Sequence, residues 1–319
     1  MGIELTQNKI RLSICIPTFN RKDSLKQTLD SICLQDIFQD TCYVEVVISD
    51  NNSSDGTKNL CDEYVVKYGR KIRYYNNNEP VTPDENFIIA LSKGSGLLLK
   101  LNNDTLSHRP GSLMKILELM ENSIQSRKTL FFLNGKKYGR KVSYCNGIED
   151  LVLTCSFWTT WIGGFSVWRD QFWELDDFSR YSSLKLVQAD ALFRLASSNG
   201  VVVYNQRIFD ILSVEHKGDY NLFEIFLENY PYILSEYIHT KMISHRVVRL
   251  EKRKVLIELI CPWVAKSIYG HKSKFNTEHH LEHVKKNFDD KKIILYYLFR
   301  LKLFGVAIVI INFIRRLLK

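Results

Sequence analysis

The sequence predicts an α/β fold, in which helices cover both faces of a doubly wound, mostly parallel sheet, followed by a basic helical extension. Apolar runs and amphipathic helical patterns alternate over the first 104 residues, which is the order that builds a parallel sheet. Polar clusters follow the first, second and fourth apolar runs. Ligands bind at the carboxyl ends of strands in such sheets, so the three clusters predict one site.

The elements follow from local patterns. Short apolar runs predict strands at residues 11–17, 43–49, 71–75, 97–101 and 129–133. Apolar residues at helical spacing predict helices at residues 22–35, around 60–65, at 84–92, after 110 and from 187 onward. The run 97–101 is mostly apolar, as expected for a strand that is buried on both faces of the sheet.

Composition and cysteine usage indicate a folded intracellular protein. The chain is 45% hydrophobic and 25% charged, as in ordinary globular domains. Its seven cysteines are odd in number, scattered, and form no Cys-x-x-Cys pair. We therefore expect reduced thiols in the cytoplasm, and neither a disulfide framework nor a zinc site.

The net charge of +9 is unevenly distributed. Residues 239–319 contain 18 Lys and Arg against 6 Asp and Glu, a net +12, which leaves −3 for residues 1–238. Such asymmetry indicates an anionic partner, either a membrane surface or a nucleic acid. We predict two parts: residues 1–215, which carry the site, and residues 216–319, a helical basic region that associates with an anionic membrane and not with nucleic acid.

The first two polar clusters carry a specific resemblance. Pro17-Thr18-Phe19-Asn20 follows the first strand, and Asp50-Asn51-x-Ser53-x-Asp55-x-Thr57 follows the second. The pair resembles the family 2 glycosyltransferases of the GT-A fold that build bacterial surface polysaccharides, and the resemblance covers about residues 10–215. Neither a Gly-x-Gly-x-x-Gly nor a phosphate-binding P-loop follows the first strand, which disfavours a dinucleotide fold and a nucleotidyltransferase.

The resemblance implies a nucleotide-diphospho-sugar donor, a UDP-sugar in particular, and an inverting transfer to a hydroxyl of a glycan or lipid-linked glycan. A carboxylate suits the N–H and hydroxyl donors of a nucleoside. The residues that the resemblance implies for donor binding are Pro17, Thr18, Phe19, Asn20, Asp50, Asn52, Asn86, Asn102 and Asn103.

Asn102-Asn103-Asp104 stands where the family has a metal-binding Asp-x-Asp. The resemblance makes Asp104 the ligand of Mn²⁺ or Mg²⁺, which commonly bind proteins through one or two carboxylates. Because Asn102 replaces the first acid, we expect weaker metal affinity, and a substituted aspartate at 102 is expected to keep or tighten it. Taken alone, without the other two clusters, Asp104 is better explained as a loop aspartate that caps the next turn.

On the acceptor side, the resemblance implies Asp190 as the catalytic base, because this acid opens a helix at the point where the family carries its base. A helix N-cap is the structural alternative for Asp190. Trp161 lies beside a Gly-Gly pair and resembles the family's acceptor segment, where a flat ring can stack on a sugar. Packing in the core is the alternative for Trp161.

The carboxy-terminal segment 293–314 is apolar and flanked by basic residues. It predicts an interfacial anchor on the inner face of the cell membrane, with a helix docked on its own domain as the alternative. His279, His280 and His283 lack a completing acid or cysteine, which favours a solvated face over a metal site. The alternative to an enzyme is a degenerate family member that binds nucleotide sugar or glycan and regulates a partner. The sequence does not predict an oligomeric state.

Overall fold

The computed structural model describes residues 10–136, 140–213, 221–270 and 277–317, with side chains up to residue 314 in the last range. The chain divides into two compact units, Met1–Val214 and Glu215–Lys319. The predicted boundary between residues 215 and 216 falls outside the described residues.

Ten strands form in the described part of the first unit. They are β1 (Leu12–Thr18), β2 (Val44–Asp50), β3 (Ile72–Asn76), β4 (Leu98–Leu101), β5 (Leu106–His108), β6 (Thr129–Phe132), β7 (Val142–Cys145), β8 (Ser166–Trp168), β9 (Val201–Tyr204) and β10 (Phe209–Ile211).

Helices alternate with these strands. They are α1 (Lys22–Cys33), α2 (Asp36–Asp40), α3 (Thr57–Tyr68), α4 (Pro83–Ser92), α5 (Ser112–Ser123), α6 (Ile148–Cys155), α7 (Arg169–Glu174) and α8 (Val187–Ser198). Short 3₁₀ segments cover Gly69–Lys71, Ser156–Thr160, Ile162–Gly164 and Ser182–Leu184.

The main sheet has five strands in the order β3-β2-β1-β4-β8. β1 lies parallel to β2 and β4, β2 lies parallel to β3, and β8 closes the edge antiparallel to β4. The predicted α/β class with a mostly parallel sheet is therefore confirmed. Thr18 pairs with Asp50 at the end of β1 and β2, so the first two polar clusters begin at the same level of the sheet.

Two smaller sheets complete the first unit. β6 and β9 are parallel, β7 pairs antiparallel with β9, and β5 pairs antiparallel with β10. Among these strands, the sequence patterns predict only β6. β5 and β10 have three residues each, which is too short for a periodic pattern to be visible.

The core lies between the main sheet and its helices. β1 and β2 are buried along their whole length, as expected for strands covered on both faces. On α1 the buried apolar side chains are Leu25, Leu29, Ile32 and Cys33, which matches the predicted face. Burial of a side chain of leucine size stabilises a fold by about 1.5–3 kcal/mol, so this face fixes α1 on the sheet.

The second unit is helical. Its α-helices are α9 (Tyr230–Glu236), α10 (His245–Lys254), α11 (Cys261–Tyr269), α12 (His280–Asn287) and α13 (Lys291–Leu317), with π-helical turns at Glu224–Asn229 and Val255–Ile260.

One face of α13 packs on α11. Tyr297 and Leu301 are buried there, and the thiol of Cys261 lies 3.8 Å from the carbonyl oxygen of Tyr297. Most other apolar side chains of α13 are exposed, including Phe299, Val306 and Phe313.

The three histidines of α12 and its amino-terminal turn have separate partners. His279 pairs with Glu282, Nδ1 of His280 lies 2.9 Å from the hydroxyl of Tyr297, and His283 stacks on the Phe223 ring at 4.7 Å. No group of three metal-ligating side chains occurs among the described residues of the chain.

Candidate active site

The loop after β1 is bonded to the loop after β2. Asn20 adopts a left-handed backbone conformation (φ 49°), which asparagine tolerates better than most residues. Its backbone N–H donates to the hydroxyl of Ser53, and its side-chain oxygen accepts from the N–H of Ser54, both at 2.8 Å. Phe19, in contrast, is 49% exposed and leaves an aromatic face open beside this junction.

Asp50 organises the loop after β2 from a buried position. One carboxylate oxygen accepts hydrogen bonds from the N–H of Ser53 (3.0 Å) and from its hydroxyl. The other accepts from the hydroxyl of Tyr74 at 2.9 Å. Burial and this bond to Asp50 raise the pKa of Tyr74, so the phenol stays a donor. Asn52, on the same loop, is exposed and left-handed (φ 63°).

Asp55 joins the loop after β2 to the start of α1. Its carboxylate accepts from the N–H of Lys22 at 2.8 Å and from the hydroxyl and N–H of Thr57 at 2.6 and 3.1 Å. Burial acts to raise the pKa of Asp55, but the hydrogen bonds from Thr57 and Lys22 outweigh it and hold that pKa below its ordinary value. The Asp-x-Thr spacing is thus a hydrogen-bonded turn that opens α3.

Asn86 lies on α4 and is buried against the end of β2. Its side-chain oxygen accepts from the hydroxyl of Ser49 (2.6 Å) and from the amide of Asn77 (3.1 Å), and its amide donates to the carbonyl of Ser49 (3.1 Å). These bonds brace the strand end from which the Asp50 loop leaves.

Asp104 connects the loop after β4 to the loop after β1. Only 2% of the residue is exposed. Its carboxylate accepts from the hydroxyl of Thr18 at 2.9 Å and pairs with the guanidinium of Arg21 at 3.0 Å. Its backbone carbonyl accepts from the hydroxyl of Thr28 at 2.9 Å. These bonds bring the first and third polar clusters together.

Asn102 is turned into the core. Its amide donates to the carbonyls of Asn103 (2.9 Å) and Leu106 (3.3 Å), and its side-chain oxygen accepts from Nε2 of His108 at 3.1 Å. An aspartate here would bring carboxylate oxygens against two carbonyl oxygens. These contacts argue against the expectation that an aspartate at 102 would keep or tighten metal binding, and that expectation stays a prediction.

The oxygens of this loop fit a hard divalent cation, which prefers oxygen ligands. The side-chain oxygen of Asn103 is buried without a hydrogen-bond partner in the described part of the chain, and Asp104 supplies the adjacent carboxylate. Each carboxylate oxygen has two lone pairs, so Asp104 can accept from Thr18 and Arg21 and still ligate a metal. The remaining ligands would come from a bound diphosphate or water.

Asp190 lies in the first turn of α8 and is 1% exposed. Nε of Arg180 donates to one carboxylate oxygen at 2.9 Å and Nη2 of Arg180 donates to the other, while Arg194 lies at 3.7 Å. The N-cap of α8 is Leu186, whose side chain makes no capping hydrogen bond. The capping alternative for Asp190 is therefore wrong, and the carboxylate holds an arginine instead.

Asp84 accepts a hydrogen bond at the amino terminus of α8, as the side chain of a capping residue would. This buried residue of α4 accepts a hydrogen bond from the N–H of Val187 at 3.3 Å, at the first residue of α8. Burial raises the pKa of Asp84 to about 7, against the opposing effect of the Val187 bond. Asp84 thus joins the helix that carries Asn86 to the helix that carries Asp190.

Trp161 is half-buried and packs edge-on against Phe209 at 6.5 Å. Lys136 lies over the ring of Trp158 at 4.0 Å and over that of Trp161 at 5.6 Å. The neighbouring glycines are required by close packing: a Cβ on Gly163 would lie 2.8 Å from the Trp161 ring, and one on Gly164 would lie 2.6 Å from the Phe131 ring.

The structure brings some of the predicted residues together directly. Thr18 and Asp104 are bonded, Asn20 meets Asp50 through Ser53, and Asn86 lies behind the second loop. Pro17 is buried at the end of β1. The hydrogen bonds described for Trp161 and Asp190 are made to residues outside the three loops.

Three residues at the site have no role that the sequence motifs predict: Arg21, Asp84 and Arg180. Arg21 directly follows the Pro17–Asn20 motif, so its position was a usable signal. Asp84 reads in the sequence only as an acid in the first turn of a helix. Arg180 lies in a segment without periodicity and gave no signal.

Three bonded loops at the carboxyl edge of a mostly parallel sheet are the arrangement of the GT-A fold. Residues 13–140, about two fifths of the chain, match the model of "Glycosyl transferase family 2". The resemblance inferred from the sequence motifs is thus confirmed over residues 13–140, which carry all three loops.

Two curated relatives are similar over part of the chain. "Abequosyltransferase RfbV" of Salmonella typhimurium is 40% identical over 85 residues, which is 27% of this chain and 25% of the relative. The "GalNAc(5)-diNAcBac-PP-undecaprenol beta-1,3-glucosyltransferase" of Campylobacter jejuni is 33% identical over 109 residues, 34% of either chain. The matches thus span a quarter to a third of these relatives.

Solved structures share the fold at low identity. S. aureus TarS in complex with UDP-GlcNAc matches with a TM-score of 0.57 and 13% identity, over 94% of this chain and 90% of that one. Mannosyltransferase PcManGT from Pyrobaculum calidifontis, in complex with GDP-Man and Mn²⁺, matches with a TM-score of 0.52 and 12% identity, over 96% and 90%.

Proposed function

We propose that the protein is an inverting glycosyltransferase that moves a sugar from a nucleotide-diphospho-sugar, a UDP-sugar in particular, to a hydroxyl of a glycan or lipid-linked glycan during bacterial surface polysaccharide synthesis. The observation that carries the proposal is the bonding of three strand-end loops to one another, the third to the first through Asp104 and the second to the first through Asn20. The names of the two curated glycosyltransferases and the UDP-GlcNAc complex of TarS support the reaction type and the donor.

The donor would lie on the exposed parts of the three loops. Phe19, Asn20 and Asn52 are exposed and available to a nucleoside. Asp50 and Asn86 are buried and already bonded, so they would act by fixing the loops or by exchanging a bond with Tyr74 or Asn77 for one with the nucleotide. Pro17, Thr18, Asn102 and Asn103 complete the proposed donor-binding set.

Asp104 would hold Mn²⁺ or Mg²⁺, assisted by the side-chain oxygen of Asn103. When bound, the metal supplies Lewis-acid stabilisation of the departing nucleoside diphosphate. Arg21, which pairs with Asp104 at 3.0 Å and is one-third exposed, lies close enough to add a second positive charge for the same diphosphate. The buried Thr18 hydroxyl fixes the orientation of the Asp104 carboxylate.

Asp190 would take the proton from the attacking acceptor hydroxyl, and in-line attack would invert the anomeric carbon. Arg180 must then leave at least one lone pair of Asp190 free, since it already binds both carboxylate oxygens. Trp161 would offer its ring to the acceptor sugar. The segment that carries it is joined to α8 by the bond from the Gln188 amide to the carbonyl of Thr160, at 2.8 Å.

We further propose that α13 holds the protein on the cytoplasmic face of an anionic membrane. Residues Lys291–Ile314 are long and apolar enough to cross a bilayer, with a mean hydropathy of 2.1 over the most apolar window, and 17% of that window is buried. Lys302 interrupts the apolar face, while Lys291 and Lys292 precede it. Exposed apolar side chains beside basic ones favour a helix that lies in the interface.

A regulatory binding protein without catalysis is the second candidate. It is favoured by the pairing of Asp190 with two arginines and by the inward turn of Asn102. The two functions share donor binding but differ in turnover.

The test is to titrate a panel of UDP-, GDP-, CDP- and dTDP-sugars into the purified full chain with Mn²⁺, and then to measure release of nucleoside diphosphate. We expect binding of a UDP-sugar and metal-dependent hydrolysis. Binding without any hydrolysis would favour the regulatory protein. Absence of binding to the whole panel would contradict both candidates.

A further inference from the structure

Lys100 is a fully buried lysine in β4, four residues before Asp104. Its ammonium donates to the carbonyl of Leu101 at 2.7 Å and to the carbonyl of Gly163 at 2.6 Å. It also lies over the rings of Phe132 (5.4 Å) and Phe209 (5.0 Å). The donor site makes no use of it.

No carboxylate pairs with Lys100 in the described part of the chain, which is unusual because buried lysines are nearly always paired. The titratable groups that face it are the thiol of Cys15 on β1 and the imidazole of His108 on β5. Burial lowers the pKa of Lys100 to about 7, and burial together with Lys100 lowers the pKa of His108 to about 3. A neutral amine still has two N–H groups, so both carbonyls can keep their donor on either side of that pKa.

The carbonyl of Gly163 belongs to the turn at residues 161–164, which carries Trp161. This turn lies against β4, where the N–H of Leu101 donates to the carbonyl of Phe165 at 3.1 Å. Gly163 itself lies under the Trp161 ring, so a movement of its carbonyl moves the ring. Lys100 therefore links the strand that leads to Asp104 with the turn that presents Trp161.

We infer that Lys100 is a positioning residue, which clamps the turn at residues 161–164 to β4 and so sets where an acceptor sugar lies relative to Asp104. The acceptor part of this inference rests on the proposed function. The clamp itself does not, because it is a statement about the position of Trp161.

The clamp is tested with Lys100→Met, which keeps the unbranched chain and removes the donors. The full chain is labelled with 5-fluorotryptophan, and its five tryptophan resonances are assigned by single replacements with phenylalanine. In Lys100→Met we expect the ¹⁹F resonance of Trp161 to shift or broaden while those of Trp173 and Trp263 stay in place. Lys100→Gln, which keeps an amide donor on a shorter chain, should give a smaller change and carries the test if the methionine variant does not fold.

Glu45→Gln is the matched control. Glu45 is also fully buried on a strand of the main sheet, where it accepts from the hydroxyl of Ser13 and the N–H of Ser95, both at 2.6 Å. Its replacement removes a buried charge but not a contact of the turn at residues 161–164. We expect it to leave the Trp161 resonance unchanged, so a change in both variants would reflect general loosening and contradict the clamp.

The acceptor part is tested by kinetics with an undecaprenyl-diphosphate-linked N-acetylhexosamine as the acceptor probe. We expect Lys100→Met to raise the acceptor KM about tenfold to hundredfold, as for a misplaced substrate, while hydrolysis of UDP-GlcNAc by water stays near the wild-type rate. An unchanged Trp161 resonance overturns the clamp, and a shifted resonance with an unchanged acceptor KM overturns its role in acceptor binding. A wild-type chain that binds no nucleotide sugar refutes the proposed function, whereas the ¹⁹F comparison still decides the clamp.

Discussion

Asp84 gives the prediction that follows most directly from the structure. Its carboxyl group projects from α4, is buried, and accepts a hydrogen bond from the first residue of α8. Burial raises its pKa from 3.8 to about 7. Between these two pH values the folded chain holds a proton that the unfolded chain has released. The free energy of unfolding therefore falls as the pH rises from about 4 to about 7, by up to about 4 kcal/mol from this group alone.

Asp84→Asn removes this loss, because the amide is neutral at every pH and its oxygen can still accept from the N–H of Val187. We expect the variant to match the wild type near pH 4 and to exceed its stability at pH 7.5. Urea unfolding at several pH values, followed by tryptophan fluorescence, measures the difference. Four of the five tryptophans lie in the first unit, so this signal reports mainly on it.

Asp55→Asn provides a control of opposite sign. Hydrogen bonds hold the pKa of Asp55 below its ordinary value, so its carboxylate stabilises the fold at neutral pH and that contribution is lost on acidification. The variant should be less stable than the wild type at pH 7.5, with a gap that closes toward low pH. If Asp84→Asn instead loses stability at pH 7.5, as Asp55→Asn does, the carboxylate of Asp84 is stabilising and the argument from burial is wrong.

Three further substitutions or deletions test the remaining proposals. Asp190→Asn should lower sugar transfer about 10²–10⁴-fold and keep donor binding, as expected for the loss of a general base. If the variant turned over as fast as the wild type, Asp190 would only hold Arg180 in place. Asn102→Asp should lower the free energy of unfolding in urea by about 2–4 kcal/mol, because its carboxylate would face two carbonyl oxygens. It should not tighten Mn²⁺ binding, and a gain in Mn²⁺ affinity would contradict the inward orientation of residue 102. A chain that ends at Asp290 should sediment less with anionic vesicles than the full chain does. Apolar insertion should make part of the full chain's binding resistant to salt. Equal sedimentation of both chains would mean that α13 does not anchor the protein.

The part of the fold that the sequence predicts is the part encoded by local patterns. β1 to β4 and α1 are visible because each is a run with a clear period, and general rules for parallel sheets place the carboxyl ends of these strands at one edge. β8 and β10 are three residues long, and their partners β4 and β5 are distant in the sequence. Only the assembled fold specifies such pairings.

The candidate site divides in the same way. The motifs around Thr18, Asp50 and Asp104 are contiguous in sequence, and the structure brings their loops together at one edge of the sheet. The inward turn of Asn102 depends on His108, and the partner of Asp190 is Arg180, in an irregular segment ten residues earlier. Neither orientation has a local signature, because each is decided by a tertiary contact.

In the proposed function, the carboxylate of Asp104 would hold the metal through which the donor diphosphate is bound. The most direct measurement is calorimetric titration of UDP into the full chain with and without Mn²⁺, for the wild type and for Asp104→Ala. We expect Mn²⁺ to tighten UDP binding to the wild type and to have no such effect on Asp104→Ala. Asp62→Ala, which removes a half-exposed carboxylate on α3 outside the three loops, should behave as the wild type does. The same Mn²⁺ dependence in Asp104→Ala as in the wild type would contradict the assignment.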